Sequence, residues 1–386
     1  MGEKSYITLK GEKYLVNTNY GRGSVFSEAR AEQFGQFLDL RGRSISHISD
    51  IKGLTELSEL KRLDLGANNI TKVEGLNELQ SLKWLSLARN SLEKVHNLNM
   101  QGLEVLSLGK NDFQEISGLE NLPKLKSLSV SNNKLTSTKG VENLLKLESL
   151  SLIGNNISQI QGLNFLKELK SLDLLRNNIR EIKNLDALTN LNSLNLSHNS
   201  ISEIKGLENN QNLKDLRLDH NLISEIKGLE NLSNLNGLNL SHNKVLQIQG
   251  LESLFKLECL YLGNNAISKI EGVNHLLSLS DLSLKDNRIR KIENMENLRR
   301  LETLDLRRNA ITSVPKTDWF ENADIQFQTV FFSNNPLKEL TELMNFGNVQ
   351  IYVEEDSKYD VLRDKFSMRH TDTEMISLFP VLNNEK

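Results

Sequence analysis

Apolar side chains, almost all of them leucine or isoleucine, recur along this chain with a period of 22 residues, separated by polar residues that differ from copy to copy. A period of this length predicts stacked structural repeats around one continuous core, because no single copy can bury its apolar side alone. The stretch 213–234 shows the pattern most clearly. Its repeated positions are Leu213, Leu216, Leu218, Asn221, Ile223, Ile226, Leu229 and Leu232.

An asparagine follows the third leucine of each copy. It recurs at positions 68, 90, 111, 133, 155, 177, 199, 221, 243, 265, 287 and 309, after 22 residues each time except for one interval of 21. A degenerate copy with Arg43 in place of the asparagine precedes the series, and a divergent copy containing Asn335 follows it, which predicts about 14 turns. We expect each asparagine at a bend, where its amide can bond backbone groups of neighbouring turns.

The second half of each copy has the form Ile-x-x-Ile-x-Gly-Leu, as in Ile201, Ile204, Gly206 and Leu207. Together with the first half, LxxLxLxxN, it resembles the 22-residue class of leucine-rich repeats, and in particular the repeats of the protein phosphatase-1 regulatory subunit. It is similar also to the repeats of bacterial internalins. The resemblance covers residues 38 to about 340. It implies an α/β solenoid, a horseshoe or arc with a parallel β-sheet on the concave side and short helical turns on the convex side.

A solenoid needs caps, because its first and last turns would otherwise expose the apolar core. We predict a β-hairpin from Tyr6–Leu9 and Tyr14–Val16, followed by a short helix from Ser27 to Phe37. After the repeats we predict a strand over 349–353, a helix over 358–366 and a tail from about Met375. The predicted domains are an N-terminal cap (1–36), the solenoid (37–340) and a C-terminal cap and tail (341–386).

Composition narrows the functional class. The 386 residues carry a net charge of −3, so the chain lacks the basic balance of a nucleic-acid binder. No apolar run approaches the ~18 residues of a membrane helix, and the N-terminus does not resemble a secretion signal. Cys259 is the only cysteine, which rules out an intrachain disulfide. We expect a reducing, cytoplasmic setting, with no membrane and no nucleic-acid partner.

Function in such a solenoid is expected at the variable residues of the inner sheet, which are the third, fifth, seventh and eighth of each copy. Near the N-terminal end, Trp84 is a secondary candidate as a binding anchor, although it could equally pack against the N-terminal cap. A series of serines follows, including Ser127, Ser149, Ser171 and Ser193, and we interpret it as a neutral hydrated surface.

A third zone, in turns 9 to 13, is chemically richer. Charges of both signs surround a tyrosine, which favours a specific, salt-sensitive protein interface, while the alternative is that these charges merely keep the surface hydrated. The candidate partner-binding residues are Asp215, Arg217, Asp219, His220, Asn239, Tyr261, Asp281, Lys285, Asp305 and Arg307.

His198, His220 and His242 occupy the eighth position of three consecutive copies. Such a row could sense pH or bind a metal, but three ligands in a line suit tetrahedral zinc poorly, and Ser-His-Asn is a common choice at this bend. We therefore predict no metal and no cofactor.

The pattern also gives no support for catalysis. Cys259 has no histidine at a matching position in the neighbouring copies, and Arg217 separates the carboxylates of Asp215 and Asp219. The sequence therefore predicts a non-catalytic scaffold that binds a protein through its concave face. The alternatives are a phosphatase-regulatory subunit and a structural adaptor or enzyme-associated subunit that binds through its ends.

Overall fold

The structure is a computed structural model that describes residues 6–10, 12–15, 36–96, 98–314, 329–339, 341–343, 350–354, 366–370 and 375–380. Its regular structure consists mainly of three-residue strands, each followed by a bend and an irregular return. The strands are β1 (Tyr6–Leu9), β2 (Glu12–Leu15), β3 (Phe37–Asp39), β4 (Arg62–Asp64), β5 (Trp84–Ser86), β6 (Val105–Ser107), β7 (Ser127–Ser129), β8 (Ser149–Ser151), β9 (Ser171–Asp173), β10 (Ser193–Asn195), β11 (Asp215–Arg217), β12 (Gly237–Asn239), β13 (Cys259–Tyr261), β14 (Asp281–Ser283), β15 (Thr303–Asp305), β16 (Thr329–Phe331), β17 (Gln350–Glu354), β18 (Phe366–His370) and β19 (Met375–Pro380).

The chain forms two compact units, residues 1–194 and 195–386, and each is a parallel-strand solenoid. In the first unit, β3 to β9 pair in parallel in sequence order, with leucine opposite leucine, as in Leu63 and Leu85. In the second, β11 to β17 pair in the same way, as in Leu216 and Leu238. The predicted parallel solenoid of leucine-rich repeats is thus confirmed.

The leucines and isoleucines of the pattern form the core of each turn. In the copy that contains β11, Leu213, Leu216, Leu218 and Ile223 have no measurable exposure. The residues on either side of Leu216 point the other way and are exposed, because successive side chains of a strand alternate between its faces. The variable residues of the pattern therefore form one exposed surface, which we call the sheet face.

The return segments contain less helix than predicted. Two 3-10 helices, Ile48–Asp50 and Leu54–Glu56, are present near the N-terminal end. In the described return segments between residues 66 and 314, single tight turns replace helices, as where the Leu166 amide bonds the Leu163 carbonyl at 3.0 Å. Gly228 shows why a glycine recurs in this half. Its φ is +78°, and a Cβ there would lie 2.2 Å from the carbonyl oxygen of Ile204 in the preceding turn.

The repeated asparagines bond the backbone of adjacent turns, as predicted. Asn177 is buried, and its Nδ2 donates to the carbonyl oxygens of Leu152 and Leu174, each at 3.0 Å. Its Oδ1 accepts a hydrogen bond from the Ile157 amide, also at 3.0 Å. One side chain therefore satisfies a donor and two acceptors that the bend leaves without sheet partners.

At the N-terminal end, β1 and β2 form an antiparallel hairpin. Ile7 and Leu9 are each only 1% exposed, and the Thr8 backbone bonds that of Lys52 in both directions, at 3.0 and 2.9 Å. The hairpin therefore covers the apolar end of the solenoid. The helix predicted over 27–37 lies outside the described residues, apart from its last two positions, and Phe37 belongs to a strand.

At the C-terminal end, β17 extends the parallel sheet, close to the strand predicted over 349–353. Strands β18 and β19 form an antiparallel pair, and β19 also pairs with β17. The prediction of a tail from about Met375 is wrong, because that segment is the strand that closes this sheet edge. The helix predicted over 358–366 lies outside the described residues except for Phe366, which is in a strand. Among the described residues, no helix has the length and apolar character to cross a membrane.

Candidate functional site

Strand β11 carries the most exposed charged pair among the candidate residues of the sheet face. Asp215 and Arg217 are both exposed on either side of the buried Leu216. In the parallel register, Gly237 lies beside Asp215, and Asn239 lies beside Arg217. A Cβ at Gly237 would lie 3.0 Å from Oδ1 of Asp215. Glycine at this position therefore avoids a steric clash with the carboxylate.

Asp219, two residues further along, is bound to three neighbouring groups. Its Oδ1 accepts hydrogen bonds from Oγ of Ser197 at 2.5 Å and from Nδ2 of Asn239 at 3.1 Å. Its Oδ2 lies 3.0 Å from Nδ1 of His220. Because an ionised carboxylate only accepts hydrogen bonds, Nδ1 carries the proton and donates it. Asp219 therefore links three consecutive turns of the second unit.

The three predicted histidines form a stacked row. The ring centroids of His198 and His220 are 3.9 Å apart with 12° between the planes, and those of His220 and His242 are 4.0 Å apart with 16°. Partial burial lowers the pKa of His242, and the neighbouring ring of His220 lowers it further. The neutral form of the His242 imidazole is therefore favoured.

The eighth position also imposes a backbone conformation that the sequence pattern did not reveal. The φ angles of His198, His220 and His242 are +53°, +54° and +54°, in the left-handed region. The same holds at the equivalent positions of other copies, such as Asn132 and Asn264. Asparagine, aspartate and histidine are enriched in this conformation, which is a physical reason for histidine at this bend independent of any ligand.

Tyr261 is the aromatic residue of the sheet face in this unit, with 38% of its surface exposed. Its neighbour on the same strand is Cys259, whose Sγ lies 3.8 Å from Oδ2 of Asp281. Burial raises the pKa of Tyr261 to about 12, with further contributions from Cys259 and Asp281. The charge of Arg217 acts on Tyr261 in the opposite sense, so the two side chains are close enough to interact across β12.

The candidate residues nearest the C-terminal end pair with one another. Arg307 donates from Nε and NH2 to the two carboxylate oxygens of Asp305, at 2.8 and 2.5 Å. Its guanidinium carbon lies 4.9 Å from the ring centre of Phe331, which stacks on Tyr352 with a centroid distance of 4.9 Å. Nζ of Lys285 lies 3.7 Å from a carboxylate oxygen of Asp286. These charges are largely satisfied within the molecule.

Trp84, the secondary candidate, lies in the first unit and covers a charged side chain. The guanidinium of Arg62 is 4.8 Å from the ring centre of Trp84 and 5.3 Å from that of Phe37, so it lies between two aromatic rings. Arg62 is only 6% exposed. Trp84 thus packs against the first strands of the solenoid through a cation–π contact.

The structure therefore divides the candidate residues into groups. Asp219, His220 and Asn239 meet at one carboxylate, Asp305 pairs with Arg307, and Asp215, Arg217 and Tyr261 remain on the open surface. Sequence reasoning missed Ser197 and Phe331, which contact these groups. Ser197 occupies the seventh position of its copy, so the alternation rule had already placed it on this surface, while Phe331 was hidden in the divergent last copy.

One cluster has the composition of a metal site. Within the part of the chain that the structure describes, His198, Asp219 and His220 offer ligand atoms that all lie within 4.8 Å of one another.

Comparisons with known proteins agree with this architecture. A family model described as leucine-rich repeats in two copies matches residues 101–144. The structure is similar to an internalin from Listeria monocytogenes, with a TM-score of 0.70 and 25% identity over 81% of this chain and 91% of that one. It is similar to a leucine-rich repeat protein from Leptospira interrogans, with a TM-score of 0.65 and 25% identity over 81% and 94% of the two chains.

A more distant similarity is to the structure of the Toll–Spätzle complex from Drosophila, with a TM-score of 0.64 and 22% identity over 79% of this chain and 43% of that one. No curated protein matches the chain significantly in sequence. The repeat pattern, the parallel sheet, the family model and the structural similarities agree: the chain is a leucine-rich repeat protein with repeats similar to those of internalins.

Proposed function

We propose that this chain is a non-catalytic interaction scaffold that binds a protein partner through the sheet face of turns 9 to 13. The main support for this proposal is the exposure of the two charged side chains of β11. Asp215 and Arg217 are exposed, and among the described residues no hydrogen bond or salt bridge engages either side chain. They present one charge of each sign. The exposed ring of Tyr261 lies two strands away, on β13.

These three residue types suit a protein interface. Tyrosine and arginine are enriched where a partner is bound tightly, because they combine apolar area with directed polar groups. Opposite charges side by side select a partner of complementary pattern and increase its rate of association at low salt. In the parallel register only Asn239 lies between Arg217 and Tyr261, so one partner can contact both side chains.

The remaining candidate residues have supporting parts in this proposal. Asp219 is already bonded to Ser197, His220 and Asn239, so it shapes the surface rather than meeting a partner directly. Asp305 and Arg307 neutralise each other and are expected to contribute less binding energy than β11. We therefore place the centre of the interface on β11 to β13.

Protein partners fit this face better than nucleic acid does. Nucleic-acid binding depends on basic side chains that follow the phosphate backbone. Here Asp215, Asp219 and Asp281 interrupt the basic residues, and the net charge of the chain is −3. Complexes of this fold with protein partners include that of Toll with Spätzle, which supports the use of such a solenoid as an interaction scaffold.

The chemistry of the same face supports a non-catalytic role. Burial raises the pKa of the Cys259 thiol, which keeps it in the weakly nucleophilic protonated form at neutral pH. Burial likewise keeps Tyr261 protonated, because its pKa is about 12. Neither residue has the lowered pKa of an activated nucleophile.

Affinity capture from the native source tests this proposal. The intact chain is compared with a variant in which Asp215→Lys and Arg217→Glu exchange the two charges without altering the net charge. A protein that the native chain enriches and the variant loses supports binding at β11. Equal recovery of every captured protein would move the site to another surface or to the ends of the solenoid.

A further inference from the structure

We propose that His198, Asp219 and His220 form a binding site for a divalent transition-metal ion, with zinc as the best-fitting ion. Two imidazole nitrogens and one carboxylate oxygen are the ligand types that zinc takes in sites that keep a position open for water. The site is independent of the protein interface proposed above, since it needs no partner. It also departs from the expectation of no metal, which rested on the three histidines lying in a line.

The distances are close to those that a metal requires. The three ligand atoms lie within 4.8 Å of one another, and Nδ1 of His220 is 3.0 Å from Oδ2 of Asp219. Two ligands of a tetrahedral zinc ion, each about 2.1 Å from the metal, lie about 3.4 Å apart. The pair from His220 and Asp219 therefore needs only a small outward shift to admit the ion.

His198 supplies the third ligand after a rotation of its ring. The His198 and His220 rings are 3.9 Å apart and nearly parallel, so one ion can lie in the planes of both rings only after one ring turns. The torsion about the Cβ–Cγ bond of histidine is broad, so a turn of the His198 ring is energetically accessible. The solvent side is open, since 39% of the His220 side chain is exposed, and water can fill the fourth position.

Hydrogen bonds from neighbouring side chains orient the Asp219 carboxylate for metal binding. Ser197 and Asn239 both donate to Oδ1, which leaves Oδ2 directed at His220. Partners of this kind orient a metal ligand and are themselves important for affinity. The main chain is also fixed, because the amides of His198 and His220 each donate at 2.9 Å to a carbonyl in the next turn.

Metal binding moves a proton within the His220 ring. In the metal-free site, the Nδ1 proton of His220 lies between that nitrogen and Oδ2 of Asp219. Coordination through Nδ1 requires the lone pair at that atom, so the proton moves to Nε2 of the same ring, and the ring remains neutral. If His198 or His220 is protonated beforehand, its extra proton is released to solvent when the metal binds, so affinity falls as the pH is lowered. The charged and titratable groups that act on His242 in this row are His220, Asp219, Asp286 and His198.

Calorimetric titration of the tag-free full chain with Zn²⁺ at pH 7.5 tests the proposal. His198→Asn and His220→Asn remove one ligand each, and asparagine already occupies the same position with the same backbone angle at Asn132 and Asn264. The matched control is His242→Asn, which removes a histidine of the row that is outside the metal cluster. All proteins also carry Cys259→Ser, which removes a competing zinc ligand.

We expect one zinc ion per chain, affinity at least tenfold weaker in either ligand variant, and unchanged affinity in the His242→Asn control. Circular dichroism should show the same thermal midpoint for all metal-free proteins, so a loss of binding cannot be ascribed to unfolding. Absence of saturable binding in the native chain would overturn the proposal. So would equal affinity in the native and His220→Asn proteins, or an equal loss in the His242→Asn control.

Discussion

Asp305 and Arg307 form a two-point ion pair, with Nε and NH2 of the arginine 2.8 and 2.5 Å from the carboxylate oxygens. The same tripeptide, Asp-Leu-Arg, occurs at 215–217, yet there both charged residues are exposed. The difference is the position within the repeat. Asp215 and Arg217 flank the strand leucine, whereas Asp305 ends its strand and Arg307 follows it, where Phe331 covers the guanidinium.

Arg307→Ala should therefore destabilise the protein and Arg217→Ala should not. The first change removes two charge-assisted hydrogen bonds and a cation–π contact and leaves the mostly buried Asp305 without this partner, for an expected loss of about 1–3 kcal/mol. The second removes an exposed side chain, which normally changes stability by less than about 0.5 kcal/mol. Urea unfolding measures both. Equal midpoints for the two variants would contradict the contrast between these tripeptides.

Asn177→Leu should destabilise the first unit by about 1–3 kcal/mol, because it leaves the Ile157 amide and two carbonyl groups without their buried partner. Its neighbour Asn178 is exposed and provides the control, since Asn178→Leu changes the same residue type without removing those bonds. Thermal and urea unfolding of both variants make the comparison. If the two substitutions shifted the midpoint equally, the bridging role of the buried amide would be refuted.

The left-handed backbone at the eighth position predicts that valine and glycine differ in stability there. Arg176 is exposed and has a φ of +56°. Arg176→Val places a β-branched residue in this conformation and should cost about 1–2 kcal/mol, while Arg176→Gly should be tolerated or stabilising. Differential scanning calorimetry of the two variants tests which of them is more stable. A valine variant as stable as the glycine variant would show that the bend relaxes.

Tyr261 should lose its phenolic proton at a higher pH than an ordinary tyrosine does. At pH 11 an ordinary tyrosine with a pKa near 10 is about 90% ionised, whereas a pKa of about 12 leaves Tyr261 about 10% ionised. The absorbance at the phenolate band of the native chain minus that of Tyr261→Phe isolates this residue, and circular dichroism verifies that both remain folded. A difference spectrum that develops fully by pH 11 would contradict the assigned environment.

The same shift affects stability at high pH. The unfolded chain has the lower tyrosine pKa, so it loses this proton first as the pH rises. The contribution of Tyr261 is therefore fully present below about pH 10 and is lost as the pH rises towards 12. The Tyr261→Phe variant should lose less stability than the native chain over that interval, as measured by urea midpoints.

The fold was predictable because every copy of the repeat must meet the same requirements of the core. Leu216 and Asn221 are fixed by burial and by backbone hydrogen bonds, and these demands are the same in every copy. The helical content was overestimated because the Ile-x-x-Ile-x-Gly-Leu half closes through single tight turns, and the pattern of apolar residues does not distinguish these from short helices.

The candidate site was predictable only in part. Alternation along the strands placed Asp215, Arg217 and Tyr261 on the surface. Which charges pair depends on side-chain rotamers and on residues in the next turn, as with Asp219 and Ser197, and the period of the sequence carries no information about either. The left-handed φ at the histidines could have been inferred from the asparagine and glycine that occupy the same position elsewhere.

The dissociation constant of the captured partner is the measurement that tests the proposed binding at β11 to β13. It is measured for the native chain, for the Asp215→Lys, Arg217→Glu exchange and for a matched exchange away from the sheet face. The matched exchange is Glu225→Lys with Lys227→Glu, an exposed ion pair in the return segment of the same copy.

We predict that the β11 exchange weakens binding at least tenfold and that native binding weakens with rising salt, while the exchange at 225 and 227 leaves the dissociation constant within twofold of the native value. Equal affinity for all three proteins, or a loss confined to the exchange at 225 and 227, would contradict the assignment of the interface to β11.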